Sequence, residues 1–270
     1  MTTDLGSYAF GTFSENEAEL ERLQRQASIA WPIERAALRA AGLKPGMAVA
    51  DLACGPGILS RLMAEEVGAE GRVTGVELNT GLLSVARALP LTPGGSVTFE
   101  EGNVYDLSNL PAGCFDIAYA RFLFQHLERP LDALAAIRRI LKPGGRLLIA
   151  DSDDALFDVV PRPAALDVLL QEALAGQQAR GGDRLIGRQL AGLMHRAGFV
   201  GVRPSVVSVT TDDIDPVSFL EITTSFKVEL LPEDRRAWAR DLLAETYAAA
   251  RDGALYGSVG VYFTSGVVPE

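Results

Sequence analysis

The sequence predicts an α/β protein with a largely parallel sheet. One apolar segment that includes Val49 is closed by Asp51, and a second that begins at Val73 is closed by Glu77. The glycine-bearing turn at residues 55–57 and a stretch with helical spacing separate the two acids. The order strand, tight turn, helix and strand is the first half of a nucleotide-binding α/β fold.

The remaining elements continue this alternation. Further strands are predicted at residues 97–100, 115–120, 146–150, 200–211 and 259–264. Helices are predicted at residues 131–141, 166–174, 185–197, 215–226 and 232–251. A Lys-Pro-Gly-Gly turn at 142–145 should separate the first of these helices from the strand that follows it. The result is a seven-stranded sheet whose last strand is antiparallel.

The spacing of these elements divides the chain into a core and its coverings. Residues 1–42 are expected to form N-terminal lid helices, and residues 43–152 the core that binds the ligand. Helices inserted at 153–198, and again at about 213–252 within the last segment 199–270, are expected to cap the site. The alternative is that the inserted helices serve internal packing or a homodimer.

Composition narrows the classes of partner. The chain has 270 residues and a formal net charge of −10, which disfavours nucleic acid because phosphate binding needs clustered Lys and Arg. No apolar run is long enough for a membrane span, and the acidic N-terminus lacks the basic residues of a signal peptide. Two cysteines are too few for a disulfide framework or a metal cluster. We therefore expect a cytoplasmic protein with a small-molecule substrate and no membrane partner.

The first turn indicates which nucleotide binds. Gly55 and Gly57 let the backbone approach a ligand closely, and Glu77 at the tip of the second strand can accept from both hydroxyls of a ribose. A dinucleotide fingerprint needs a third glycine, but Ser60 stands there. Asp51 would repel a pyrophosphate and suits a cationic ligand instead.

This segment resembles the first motif of class I S-adenosylmethionine-dependent methyltransferases, in which an acid is followed by small residues at alternate positions. Ala53 stands where the family usually has glycine. The resemblance implies a Rossmann-like fold and S-adenosylmethionine as the cofactor, with S-adenosylhomocysteine as the product. It also implies that the cofactor binds to residues of the turn and of the end of the second strand, namely Asp51, Ala53, Gly55, Gly57, Glu77 and Leu78.

Two later segments add to the resemblance. After the third strand the family places an Asp or Asn on the adenine amino group and covers the ring with the next side chain, which implies Asn103 and Val104 here. The helix, Lys-Pro-Gly-Gly turn and strand around 131–150 form a second hallmark of the family.

The N-terminal segment resembles the lid helix of a bacterial subgroup that methylates small molecules of specialised metabolism. In that subgroup a Tyr and a Gln reach the cofactor, which implies Tyr8 and Gln26. Ser14 and Glu17 form a capping box that predicts a helix start. Trp31-Pro32 should kink or end that helix.

Residues just past the fourth strand are candidates for substrate contact and catalysis. His126 lies where parallel α/β sheets place their chemistry, and it is the leading candidate for a general base. Arg121 is expected to meet the carboxylate of the cofactor's methionine part or of a substrate. Phe13, Phe122 and Gln125 are expected to contact the substrate.

The acids after the fifth strand, Asp151, Asp153 and Asp154, raise the question of a magnesium site. Hard cations prefer oxygen ligands, but the remaining ligands of such a site are not apparent. We therefore predict solvated acids and no metal.

Three other functions share part of this pattern. An NAD(P)-dependent oxidoreductase would have the same strand, turn and ribose acid, and it is disfavoured by Ser60 and Asp51. A SAM-binding fold that supports a cyclisation or another non-methylating rearrangement would share every motif. A non-enzymatic partner subunit is disfavoured by the intact cofactor motifs.

Overall fold

The fold is taken from a computed structural model, which describes residues 16–90 and 94–270. The strands are β1 (Ala48–Leu52), β2 (Arg72–Glu77), β3 (Ser96–Glu101), β4 (Phe115–Arg121), β5 (Leu141–Ser152), β6 (Asp158–Val160), β7 (Val200–Thr210) and β8 (Tyr256–Val267). The α-helices are α1 (Asn16–Ala40), α2 (Ile58–Val67), α3 (Thr80–Ala88), α4 (Pro130–Ile140), α5 (Leu166–Gln178), α6 (Leu190–Arg196), α7 (Pro216–Leu230) and α8 (Glu233–Arg251). None of the described helices combines the length and the apolar character that a bilayer crossing requires.

The strands form one mostly parallel sheet. Strands β3, β2, β1, β4 and β5 are neighbours in that order and run parallel, β8 pairs antiparallel with β5, and β7 pairs antiparallel with β8. The carboxyl ends of β1, β2 and β4 therefore meet at one edge, where open α/β sheets place their ligands. The prediction of a largely parallel sheet with an antiparallel last strand is confirmed.

The sheet has eight strands within the described residues rather than the predicted seven. The additional strand, β6, is three residues long and pairs with Tyr256–Ser258 at the start of β8. Ser258 pairs with β6 on one side and with β7 on the other, so β6 extends the line of β5 along β8. Three residues are too few to show an alternating pattern, which is why the sequence did not reveal this strand.

The Lys-Pro-Gly-Gly segment lies inside β5 instead of ahead of it. The pairing of β4 with β5 shifts between Phe115 and Ile117, whose partners are Leu141 and Arg146. Gly144 takes a left-handed φ of 73° in the intervening residues. The segment thus forms a β-bulge within β5, because Leu141 already pairs with β4 before the turn begins.

Helix α1 continues through Pro32 to Ala40, so the prediction that Trp31-Pro32 could end it is wrong on that point. Proline removes one backbone hydrogen bond, the one that would reach the carbonyl of Ser28. Both Pro32 and Ser28 are exposed, so water can satisfy that carbonyl. On the opposite face Ala27 and Leu38 are buried and anchor the helix on the sheet. The predicted contacts of Tyr8 and Phe13, and the capping Ser14, lie outside the described residues.

The inserted helices have a hydrophobic core of their own. Side chains of α5, α7 and α8 pack together with β6 and the turn before it, with Leu169, Phe219 and Leu243 almost fully buried. Phe157 and Phe219 stack with ring centroids 6.1 Å apart. This separate core gives the cap a fixed position from which α7 can line the ligand cavity.

Candidate cofactor and substrate site

A cavity of about 560 Å³ opens at the carboxyl ends of β1, β2 and β4. Helix α1 contributes apolar side chains to it from one side, and the cap helices α5 and α7 contribute from another. Of the predicted site residues, the cavity lining includes Gln26, Asp51, Ala53, Gly55, Glu77, Leu78, Asn103, Val104, Arg121, Phe122, Gln125 and His126. The sheet edge thus collects residues from segments that are far apart in the chain.

Asp51 ends β1 as a buried acid. Its Oδ2 accepts a hydrogen bond of 2.5 Å from Ser60 Oγ, and the Ser60 side chain is completely buried in the first turn of α2. Burial raises the pKa of Asp51 to about 7, and the nearby carboxylate of Glu34 adds to the rise. The Ser60 hydroxyl opposes that rise because it stabilises the ionised form.

The turn after Asp51 depends on left-handed backbone. Ala53, Gly55 and Gly57 have φ values of 56°, 56° and 73°. A Cβ on Gly57 would lie 2.5 Å from the Phe99 ring, so only glycine fits there. A Cβ on Gly55 would meet no atom within 4 Å, which means that this residue borders the open cavity. Ala53 carries a Cβ in a conformation that non-glycine residues rarely adopt.

Glu77 closes the turn from β2. Its Oε2 accepts from the backbone N–H of Gly55 at 2.9 Å, and its Oε1 accepts from the N–H of Asn79 at 2.8 Å. A carboxylate has about four lone-pair sites, so each oxygen can still accept from one ligand hydroxyl. Burial raises the pKa of Glu77, while the backbone hydrogen bonds favour the ionised form.

The segment after β3 supplies an amide to the same cavity. Asn103 Oδ1 accepts from the N–H of Tyr105 at 3.0 Å, which fixes the side chain in a short turn. The backbone of Gly102 donates to the carbonyl of Glu77 at 3.1 Å, so this loop and the end of β2 are held together. Asn103, Val104 and Leu78 all border the cavity, and their contact with a cofactor stays a prediction.

Arg121 is engaged by the N-terminal helix. Its Nε donates to Glu34 Oε1 at 2.5 Å, and its Nη2 donates to the carbonyl of Gln26 at 3.4 Å. The guanidinium also lies 4.6 Å from the centre of the Phe122 ring. Glu34, a partner that the sequence did not suggest, therefore holds the cation that we expected to meet a ligand carboxylate. The predicted ligand contact of Arg121 stays untested.

Gln125 is the centre of a buried polar network. Its side-chain Oε1 accepts from Ser152 Oγ at 3.3 Å and from Arg184 Nη1. Its backbone carbonyl accepts from Gln177 Nε2 at 2.9 Å, and that bond orients the Gln177 amide. The same amide nitrogen lies 3.0 Å from His126 Nδ1, which therefore acts as the acceptor.

The environment of His126 does not favour a general base. Burial, followed by the positive charge of Arg184, lowers the pKa of His126 to about 3. The imidazole is thus neutral across the physiological range and has little tendency to take up a proton. With Nδ1 accepting from Gln177, the neutral ring carries its hydrogen on Nε2.

The acids at the end of β5 and just after it are buried rather than solvated, so that prediction is wrong. Asp153 accepts two hydrogen bonds from Arg188, at 2.5 and 2.7 Å, and Asp154 accepts two from Arg184, at 2.7 and 2.9 Å. Asp151 accepts from the backbone N–H groups of Gln125 and Ser152. The compensating arginines lie thirty or more residues away, where no local pattern links them to the acids. Among residues 16–90 and 94–270, no group of three or more His, Cys, Asp and Glu side chains is arranged to hold a metal.

Comparison with known proteins agrees with this geometry. Residues 50–149 match the family model described as a methyltransferase domain. Residues 50–149 therefore carry the methyltransferase domain of the class I, S-adenosylmethionine-dependent enzymes. The chain is 34% identical over 129 residues to the ubiquinone/menaquinone biosynthesis C-methyltransferase UbiE of Shewanella piezotolerans, a match that covers 47% of this chain and 51% of that one. The chain spans about half the length of the curated relatives it matches.

Solved structures share the fold over nearly the whole methyltransferase chain. One chain of the Haloferax volcanii complex that contains the Trm112 methyltransferase activator aligns with a TM-score of 0.60 and 21% identity, covering 94% of this chain and 96% of that one. The [4+2]-cyclase SpnF aligns with a TM-score of 0.55 and 19% identity, covering 98% of this chain and 87% of that one. At these identities the likeness concerns the fold alone.

The residues present fit the family's cofactor, S-adenosylmethionine. The open space in front of Gly55 leaves room for a ligand against the backbone of the turn. The carboxyl groups of Asp51 and Glu77 at the cavity wall suit a cationic sulfonium better than an anionic pyrophosphate. Ser60 takes the place of the third dinucleotide-binding glycine, and its hydroxyl donates a hydrogen bond that favours the ionised form of Asp51.

The Ala53 conformation leads to a stability prediction. We expect Ala53→Gly to stabilise the ligand-free protein by about 1 kcal/mol, because relief of ~1–2 kcal/mol of left-handed strain outweighs the added entropy of the unfolded chain. Thermal denaturation should show the midpoint rising by ~2–4 °C. Ala50→Gly, in the regular and buried part of β1, serves as the control and should lower the midpoint. An Ala53→Gly midpoint below that of the parent would contradict the assigned backbone.

The raised pKa of Asp51 predicts pH-dependent cofactor binding. For a pKa of about 7, the ionised fraction of Asp51 rises about tenfold from pH 6 to pH 8. Calorimetric titration should therefore show S-adenosylmethionine binding more tightly as the pH rises through this range. Asp51→Asn should bind more weakly and lose the dependence. Asp151, whose pKa burial also raises to about 7, provides the matched control: Asp151→Asn should keep the dependence. If the pH dependence of binding were lost in Asp151→Asn but kept in Asp51→Asn, Asp51 would not be its cause.

The two histidines of the chain allow a direct test of His126. In proton NMR spectra the imidazole signal of His126 should not shift between pH 5 and pH 8, because its pKa is lowered to about 3. The His195→Asn variant, which changes an exposed residue, assigns the two signals. A titration midpoint of His126 between pH 6 and pH 7 would restore it as a candidate base.

Proposed function

We propose that this methyltransferase transfers the methyl group of S-adenosylmethionine to an O, N or C atom of a small molecule, of the kind made in specialised metabolism. The observation that carries the proposal is the continuity of the cavity. The turn with its two buried acids opens into the same space as the apolar side chains of α1 and α7. A small molecule under these helices would face the cofactor directly.

S-adenosylmethionine, when bound, supplies a methyl group activated by its sulfonium. Asp51, Glu77 and the turn at 55–57 would hold the cofactor, and its methyl carbon would accept the lone pair of the substrate while the electrons of the carbon–sulfur bond stayed on sulfur. The chain's own contribution is position and exclusion of water, since orientation alone can supply ~7–11 kcal/mol of a barrier. Helices α1 and α7 close over the sheet edge, and Arg25 of α1 forms an ion pair of 2.6 Å with Glu221 of α7.

In this proposal His126 does not act as the base that deprotonates the acceptor. An imidazole whose pKa is lowered to about 3 takes up too few protons to act as the base. We propose instead that His126 and Gln125 contact the substrate and orient it, supported by Gln177 and Arg184 behind them. An acceptor that is already ionised would need no base at all.

A second candidate is a rearrangement or cyclisation that needs the bound cofactor but no methyl transfer. The absence of a suitable base at His126 and the mostly apolar chamber are compatible with it. A structural neighbour with the same fold bears the name of a [4+2]-cyclase, so the fold allows such chemistry. Product analysis distinguishes the two candidates. S-adenosylmethionine with a deuterated methyl group should leave that group on the product only if methyl transfer occurs.

Cofactor binding is tested at Glu77. We expect Glu77→Ala to lower the affinity for S-adenosylmethionine and S-adenosylhomocysteine by roughly tenfold to a hundredfold, because hydrogen bonds to a charged group contribute ~1.5–3 kcal/mol. Isothermal titration measures both affinities. Glu70→Ala, at an exposed position just before β2, is the matched control and should bind as the parent does. Equal affinity in Glu77→Ala and the parent would remove the ribose assignment, and tight binding of NAD or NADP by the parent would overturn the proposal.

A further inference from the structure

The cap side of the cavity contains two buried cations and one carboxylate that the cofactor site does not use. The side chains of Lys227 on α7 and Arg184 before α6 are 2% and 4% exposed, and both border the cavity. Asp154 lies between them, 2.7 Å from Arg184 Nη2 and 3.3 Å from Lys227 Nζ. Buried cations are costly unless they are neutralised, and one carboxylate balances only one of the two.

The donors of the two cations are only partly used. Lys227 Nζ donates to the Thr223 carbonyl at 2.7 Å and to Asp154, so one of its three hydrogens has no partner among the described residues. Arg184 spends three of its five hydrogens on Asp154 and Gln125. The cluster therefore keeps unfilled donors beside the cavity as well as unbalanced charge.

The surrounding charges do not cancel this excess. Glu229 also borders the cavity, but it pairs with Arg236 at 3.0 Å and with Arg240 at 3.5 Å. Arg180 adds another cation to the cavity wall and donates to the Glu229 carbonyl. Asp151 lies behind Gln125 with its oxygens on backbone N–H groups, and burial raises its pKa to about 7, so it is only partly ionised near neutrality.

Two aromatic rings pack against the cations of this subsite, and one of them, Phe226, borders the cavity. The Phe226 ring centre lies 4.5 Å from the Arg184 guanidinium and 4.7 Å from Lys227 Nζ. The Phe157 ring centre lies 5.1 Å from the same ammonium. A ligand that satisfies these surroundings has an apolar body for the rings and an anionic group for the cations.

We propose that the acceptor substrate is an apolar small molecule with a carboxylate or an equally acidic oxygen, which binds to Lys227 and Arg184. The inference rests on the proposed function and deepens it, since it names the charge of the substrate and its orientation. The anion lies under the cap, and the rest of the molecule extends toward the turn that holds the cofactor. The cavity thus separates a negative end, which suits a sulfonium, from a positive end, which suits the acceptor.

A pair of isosteric probes tests the charge of the ligand. 2-Naphthoate carries the carboxylate, whereas 2-naphthamide has the same shape without the charge. With the protein saturated by S-adenosylhomocysteine, we expect calorimetry to show naphthoate binding roughly tenfold to a hundredfold more tightly than naphthamide, because charge-assisted hydrogen bonds contribute ~1.5–3 kcal/mol. Lys227→Met should abolish most of this preference. Lys44→Met, at one of the other two lysines and fully outside the cavity, should leave it unchanged.

A measurement on the unaltered protein covers the case in which Lys227→Met does not fold. Burial lowers the pKa of Lys227 to about 8, while the naphthoate carboxylate stays ionised. The preference for naphthoate should therefore decrease as the pH rises from 7 to 9. If a protein that binds S-adenosylhomocysteine bound the two probes equally, the proposal of an anionic substrate would be overturned and the proposed function would stand. Failure to bind S-adenosylhomocysteine would instead overturn the proposed function.

Discussion

The structure depends on two buried acids at the ends of neighbouring parallel strands. The carboxylate of Glu77 at the tip of β2 accepts from the N–H of Gly55, which the left-handed backbone at Ala53, Gly55 and Gly57 brings to it. Asp51 is kept partly ionised by Ser60 against the desolvation that raises its pKa. Burial of the two acids carries an electrostatic cost, which raises the pKa of both carboxyl groups. Left-handed backbone and buried charge are thus concentrated in one turn of the chain.

The other charged groups of the cavity are arranged around those acids. Arg121 is a nearby cation, and Glu34 on α1 pairs with it, so the position of the N-terminal helix and the charge around Asp51 are coupled. On the opposite side the cap has its own core of α5, α7 and α8, and Lys227 is held there with its side chain almost fully buried. A single cavity can therefore present a negative end and a positive end, because separate packing units fix each set of charges.

How much of this the sequence reveals depends on how local each feature is. The turn at 51–57, Glu77 and the alternation of strands and helices follow from patterns within a few residues, and the structure reproduces them. In the sequence Ser60 appears only as the absence of a third glycine, whereas in the structure its hydroxyl, three residues after Gly57, donates to Asp51. The pairs of Asp154 with Arg184 and Lys227 join residues thirty and seventy-three positions apart, and no periodicity encodes such contacts. The burial of these charged pairs is visible only in the three-dimensional structure.

The buried polar network around Gln125 bears on what kind of catalyst this fold supports. A base must exchange protons readily, but the packing that orients Gln125 and His126 also desolvates the imidazole and places it near Arg184, so rigidity and basicity oppose each other here. A sulfonium methyl is already activated, so rigid alignment can be retained at the expense of proton transfer. An anionic acceptor held by Lys227 and Arg184 would complete this arrangement. The enzyme would then need position more than acid–base chemistry.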